Sequence, residues 1–221
     1  MSAPLVVVSP HLDDAVLGCS ALLSQHDGAV VVTVFAGRPP ASARLPPWDE
    51  AAGFRPGDDV VGARRAEDRA ALVIFGAEPV WLPFLDSQYA DSPAVEAIVP
   101  VLESALTDAK TATVCIPLGL FHSDHVLTHA AALRVLRRCP QWQWLAYEEP
   151  MYRRVPRALD DRLAALTSAG LAIRLFGTAA APPDKPRALA CYASQLRALG
   201  TPGRPGHADA LAPERYWALT A

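Results

Sequence analysis

The chain lacks any C-x-x-C pair: its four cysteines, Cys19, Cys115, Cys139 and Cys191, stand far apart in 221 residues. That spacing points to neither a thiolate zinc knuckle nor a disulfide framework, and buried reduced thiols are expected. No sign of charge prevails, with 20 Lys and Arg against 23 Asp and Glu and a net charge of -3. Without a basic field or a Lys/Arg run beside an apolar helix, neither nucleic acid nor a membrane surface is an expected partner. No apolar stretch approaches the roughly 18 residues that span a bilayer. The opening Met-Ser-Ala-Pro has no basic n-region and no cleavage site, so a cytoplasmic location is expected. Nor does the first apolar run lead into G-x-G-x-x-G. Carboxylates stand where a nucleotide phosphate would lie, which argues against dinucleotide binding.

What is present reads as α/β. The length suits one domain spanning 1–221. Residues 5–8 and 30–35 are Val-rich apolar runs of the kind buried on both faces of a parallel sheet, and "DAVLGCSALLSQH" between them has helical spacing. Residues 4–35 therefore form a βαβ unit, with its first loop at the carboxyl edge where ligands bind. Residues 37–62 hold five prolines and four glycines without sustained periodicity and predict a long loop of the lid or binding type. Helices are expected in "ARRAEDRAALVIFGA", "AVEAIVPVLESALTDA", the segment after "LFHSDH" and "DKPRALACYASQLRAL". Strands are expected in "PVWLPFLD", "ATVCIPLG", "QWLAYEEP" and "AIRLFGTA". The stretch "ALDDRLAALTSAG" is ambiguous, and a Pro/Gly-rich tail closes the chain. The fold class expected is a single-domain, Rossmann-like, mostly parallel sheet with helices on both faces.

Two histidine-carboxylate clusters follow two of these strands: His11, Asp13 and Asp14 in "SPHLDDA", and His122, Asp124, His125 and His129 in "HSDHVLTH". A parallel sheet brings both to one edge. Two adjacent acids raise each other's pKa unless a positive charge lies beside them, and a cation is the natural resolution. Two His nitrogens and one carboxylate oxygen suit zinc and leave room for water, although iron or cobalt fits the same donors. The assignment is His11, Asp14 and His125 as ligands and Asp13 as general base. His122 acts on an oxyanion or leaving amine, and Asp124 orients it. The competing reading makes "HLDD" and "HSDH" helix-start chemistry, with Asp13 or Asp14 capping the first helix and Ser123 or Asp124 the later one. His129 is expected to be a packed or surface histidine rather than a ligand.

These motifs resemble the PIG-L/LmbE family of zinc-dependent de-N-acetylases, whose first motif, (A/S)-H-P-D-D-E, matches "SPHLDDA" and whose second, H-x-D-H, matches "HSDH" at 122–125. Weaker similarities lie in "WDEAAGF", "RRAED", "FLDSQY", "YEEPMY" and "KPRALACYASQ". The resemblance implies the same ligands and base, and a small-molecule amino-sugar or glycoconjugate substrate that loses an N-acetyl or related acyl group. Leu12 stands in place of the family's Pro and Ala15 in place of its acid. Leu120 occupies the position where some members carry a tyrosine that donates to the substrate carbonyl, so that donor is expected elsewhere. Arg64 or Arg65, Glu67, Asp86 and Tyr89 are candidates for substrate hydroxyls, as are Trp48 and Phe54 for stacking on a sugar or anchoring the lid. The alternatives are an amidase for a thiol-sugar conjugate or a non-sugar amide, and a metal-binding scaffold without catalysis. A homo-oligomer is left open.

Overall fold

The structure, a computed structural model, describes residues 4–40, 44–204 and 206–221. Three residues of the expected lid, 41–43, lie outside them. The sheet is built from β1 (Leu5–Ser9), β2 (Val30–Thr33), β3 (Glu78–Trp81), β4 (Thr113–Pro117), β5 (Gln143–Tyr147), β6 (Ala172–Ala179) and β7 (Glu214–Thr220), in the order β3-β2-β1-β4-β5-β7-β6. The first five strands pair in parallel, and β7 runs antiparallel to both its neighbours. Because successive side chains of a strand point to opposite faces, Val6 and Val8 enter one core and Leu5 and Val7 the other. Helices α4 (Val95–Asp108), α5 (Ser123–Arg138) and α6 (Ala158–Ser168) cover the first core. The second is covered by α1 (Asp14–Leu23), α3 (Val60–Val73), α7 (Lys185–Ala190) and α8 (Ala193–Leu199).

Strand order reverses between β1 and β4. The loops leaving their carboxyl ends diverge to opposite faces there and open the crevice typical of such sheets. This reversal is what carries the two clusters, more than a hundred residues apart in sequence, to one place. Helix α1 lies close over the sheet at Gly18, where a Cβ would fall 2.6 Å from Cδ2 of the fully buried Tyr147. One residue on, the helix kinks at Cys19.

Several expectations change. The ambiguous segment is α6. The loop 37–62 contains a short helix, α2 (Pro47–Ala51), and gives way to α3 at Val60, where the Asp59 carboxylate accepts from Gly62 N. The helix expected in "DKPRALACYASQLRAL" is two, because Tyr192 drives its ring into the core and α8 restarts with Glu67 accepting from Ser194 N at 2.9 Å and Ser194 Oγ at 2.6 Å. The tail ends in β7, which inserts between β5 and β6. All four cysteines are free thiols; Cys19 and Cys115 are fully buried, with sulfurs 3.7 Å apart, and the other two are half-buried.

Candidate metal centre and cleft

The turn after β1 is held by short-range bonds that aim its acids. Ser9 Oγ donates to His11 O (2.6 Å) and accepts from Ala15 N (3.0 Å), and His11 N donates to Asp14 Oδ2 (2.9 Å). Asp13 occupies the N-cap of α1, yet its carboxylate makes no capping hydrogen bond. It is buried and free of the role that the competing reading gives it.

After β4, the cap of α5 is neither Ser123 nor Asp124 but His122, whose Nδ1 accepts from Asp124 N at 3.2 Å. In the neutral ring the proton then sits on Nε2. Burial, then the charges of His11 and His125, hold the His122 pKa below the ordinary value, which favours that neutral form. Asp124 does not orient His122 through its carboxylate as expected. Its fully buried Oδ2 accepts from Ser87 N (3.2 Å) and lies 3.0 Å from His11 Nε2.

At the centre, Asp14 Oδ2 lies 3.2 Å from both His11 Nδ1 and His125 Nε2. Ring nitrogens of His11, His122 and His125 fall within 4.8 Å of one another, as do the donors of His11, Asp86 and Asp124. His125 Nδ1 turns to Glu149 Oε1 at 3.2 Å. The charges interlock. Burial opposes the charged form of His11, but hydrogen bonds to Asp124 and Asp14 hold its pKa well above the ordinary imidazole value. For His125 burial is likewise overcome, by the Asp14 charge and by bonds to Asp14 and Glu149, and its pKa is raised to about 9. Those two imidazoles overcome burial in turn at Asp14 and pull its pKa far down. Asp13 goes the other way, pushed up to about 7 by burial and then by the Asp14 charge. Two neighbouring acids are thus split into a permanent anion and a carboxylate that titrates near neutrality. Nitrogen and oxygen donors on three rigid segments, converging without an Arg or Lys among them, suit a divalent metal ion.

The cluster lines a cleft of about 610 Å³, where His11, Asp13, Asp14, His122 and His125 are joined by apolar side chains that include Trp48, Met151 and Phe121. Of the expected substrate residues, Asp86 and Trp48 line it. Trp48 also ties the 37–62 loop to α8, its Nε1 donating to Gln195 Oε1 at 3.0 Å. Arg64 and Tyr89 are instead taken up by α2: the Arg64 guanidinium pairs with buried Asp49 at 2.7 Å, and the Tyr89 hydroxyl donates to the same carboxylate at 2.6 Å. Arg65 binds Ala36 O, Glu67 starts α8, and Phe54 lies under Arg64. The side chain at Leu120 packs into the core rather than into the cleft. His129 is buried, its Nδ1 donating to Pro117 O at 2.8 Å. Sequence reasoning missed Glu149 and Tyr152, the latter with its ring edge-on to His125 at 5.3 Å. Both lie in "YEEPMY", whose doubled acid after a buried strand was the available signal.

An α/β fold with a His/Asp cluster at its switch point defines a class of α/β protein with a candidate metal site in its crevice. Residues 6–136 match the GlcNAc-PI de-N-acetylase (PIG-L) family, and the chain belongs to that family. Among solved structures it is similar to a deacetylase of the teicoplanin biosynthetic pathway, in triple-mutant form (25% identity, 98% of each chain covered, TM-score 0.77). It is also similar to the deacetylase of the A40926 pseudoaglycone (27% identity, 98% of this chain and 97% of that one, TM-score 0.74). A zinc-inhibited form of teicoplanin deacetylase shares the fold (24% identity, 98% of each chain, TM-score 0.77). Comparison with curated proteins gives no significant match. Among the described residues no helix is long and apolar enough to cross a membrane.

Proposed function

We propose that the chain is a metal-dependent hydrolase that removes an N-acetyl or related N-acyl group from an amino sugar, of the N-acetylglucosamine type, carried on a glycoconjugate. The observation that carries this reading is the pairing in one cleft of Asp13, a buried carboxylate that caps nothing, with His122, whose neutral ring presents its proton at Nε2. The deacetylases of glycopeptide antibiotics among the similar structures support the choice of substrate class.

His11, Asp14 and His125 would hold the divalent ion, zinc or an ion of like ligand preference. When bound, that ion supplies Lewis-acid polarisation and lowers the pKa of water in the site. Asp13 takes the proton of the attacking water, a task that its environment suits by setting its pKa near 7. As the carbonyl oxygen gains charge, His122 Nε2-H donates to it. Asp13 then returns the proton to the departing nitrogen, and the amine and carboxylate products leave through the open side of the cleft. Asp86 and Trp48, which both line the cleft, bind the sugar.

The test is metal content by mass spectrometry on wild type and His125→Ala, coupled to amine release from N-acylated glucosamine glycoconjugates. Zinc, iron and cobalt are each assayed, with excess zinc kept out of the turnover mixture because a relative has a zinc-inhibited form. One divalent ion per chain in wild type, lost in the variant together with amine release, is expected. Metal without release from any N-acylated amino sugar, or no metal at all, overturns the reading.

A further inference from the structure

Tyr147 ends β5, and two glutamates follow it into the interior. Glu148 and Glu149 are 0% and 2% exposed, so both carry the cost of removing a carboxylate from water. They meet that cost differently. Glu148 is flanked by two guanidinium groups, Arg153 at 3.2 Å and Arg215 at 3.1 Å, and accepts from Trp217 Nε1 at 2.9 Å. It ties the end of β5 to β7 and has a sufficient structural explanation.

Glu149 has no Arg or Lys partner among the described residues; its one ionisable contact is His125. Its Oε1 collects three donors: Gly119 N at 2.7 Å, Leu120 N at 3.2 Å and His125 Nδ1 at 3.2 Å. Its Oε2 is buried without a hydrogen-bond partner. Arg162, whose guanidinium feels the Glu149 charge, gives its hydrogen bonds to Gly119 O instead. A carboxylate kept for stability alone would be less costly as an apolar side chain, since replacing a buried charge by a well-packed apolar group is often neutral or better. What the charge does achieve is local. Its bond takes the Nδ1 proton, so the nitrogen left to a cation when the ring is neutral is Nε2, which here lies 3.2 Å from Asp14 Oδ2. The two amides that share Oε1 belong to the β4–α5 turn, so the same carboxylate fixes the loop from which α5 and His125 begin.

We propose that Glu149 is a positioning residue for His125: it sets the ring's tautomer and orientation so that Nε2, and not Nδ1, is offered to a divalent cation. Asp124 does the same for His11, whose Nε2 it holds while Nδ1 faces Asp14. A carboxylate behind a ligating imidazole raises the basicity of the ring and is commonly worth 10- to 100-fold in metal affinity. The inference rests on the metal site of the proposed function, and its test reads metal and ring rather than turnover.

The experiment compares wild type, Glu149→Gln and Glu149→Ala for zinc affinity, by chelator competition, and for solvent exchange of the His125 ring proton, by NMR of the zinc-loaded, histidine-labelled protein. Gln keeps an acceptor for Gly119, Leu120 and His125 and removes only the charge, so it stays informative if Ala fails to fold. Zinc affinity reduced 10- to 100-fold in Ala and to a smaller degree in Gln, with the Nδ1 proton protected in wild type and Gln and exchanging rapidly in Ala, is expected. Variants that melt earlier yet bind zinc as wild type does, with the same protected proton, make Glu149 merely structural and overturn the inference while leaving the function intact. A wild type that takes up neither zinc, iron nor cobalt overturns both.

Discussion

Asp13 and Asp14 are neighbours in sequence with opposite fates, and the difference comes from what surrounds each carboxylate. Asp14 points between two imidazoles and keeps its charge, whereas Asp13 is buried beside that charge and its pKa rises to about 7. Replacing Asp13 by Asn keeps shape and removes the proton acceptor. Turnover is expected to fall about 10²- to 10⁴-fold, the usual contribution of a positioned base, while metal content stays that of wild type. Near-native turnover in metal-loaded Asp13→Asn, followed by amine release, eliminates Asp13 as the base. The motif identified these two acids; nothing in it assigned Asp124 to His11 rather than to His122, because that pairing spans 113 residues and depends on strand order.

At the scale of elements, α5 is fixed to the end of β4 by His129, one turn beyond His125. The ring is buried, its Nδ1 bonds to Pro117 O, and burial lowers its pKa to about 4. The sign follows from the direction of the shift. The unfolded chain, with an ordinary imidazole near 6.5, binds a proton that the native state refuses between about pH 6.5 and 4. Stability is therefore intact above that window and is lost as pH falls through it, by about 3 kcal/mol from this residue. Urea unfolding of wild type and His129→Leu at pH 7 and pH 4 checks this: the stability difference between the two proteins should shift by that amount in favour of Leu at the acid end. An unchanged difference would mean that His129 titrates normally in the fold. The sequence left His129 packed or at the surface, and the structure buries it against Pro117 O.

The whole molecule depends on how the C-terminal strand closes the sheet under α1. Lys185 of α7 is fully buried; its Nζ donates to Glu214 Oε1 of β7 (2.6 Å) and to Leu17 O of α1 (2.7 Å), and Glu214 Oε2 accepts from Ala21 N (2.9 Å). Three elements distant in sequence are joined by one ion pair beneath the helix that presents Asp13 and Asp14. Lys185→Met strands the Glu214 charge in the interior and should cost about 3–5 kcal/mol, measured by chemical denaturation. Adding Glu214→Leu removes the stranded charge and should recover much of the loss. A single variant as stable as wild type would show that the pair holds nothing together.

The sequence by itself determined the parallel βαβ core, because strands buried on both faces must be continuously apolar and their crossover helices must be periodic. It also determined the two His/Asp motif clusters, because each follows a buried strand and a parallel sheet carries both to one edge. Only the tertiary structure decided the rest. β7 pairs with strands far away in sequence, and no local pattern in "ERYWALT" separates a central strand from a tail. Arg64 and Tyr89 became fasteners of the 37–62 loop because buried Asp49 takes both the guanidinium and the hydroxyl. Glu149 became a candidate partner of His125 through the long-range packing of β5 beside β4, and hydrogen bonds between distant segments leave no periodicity in a chain.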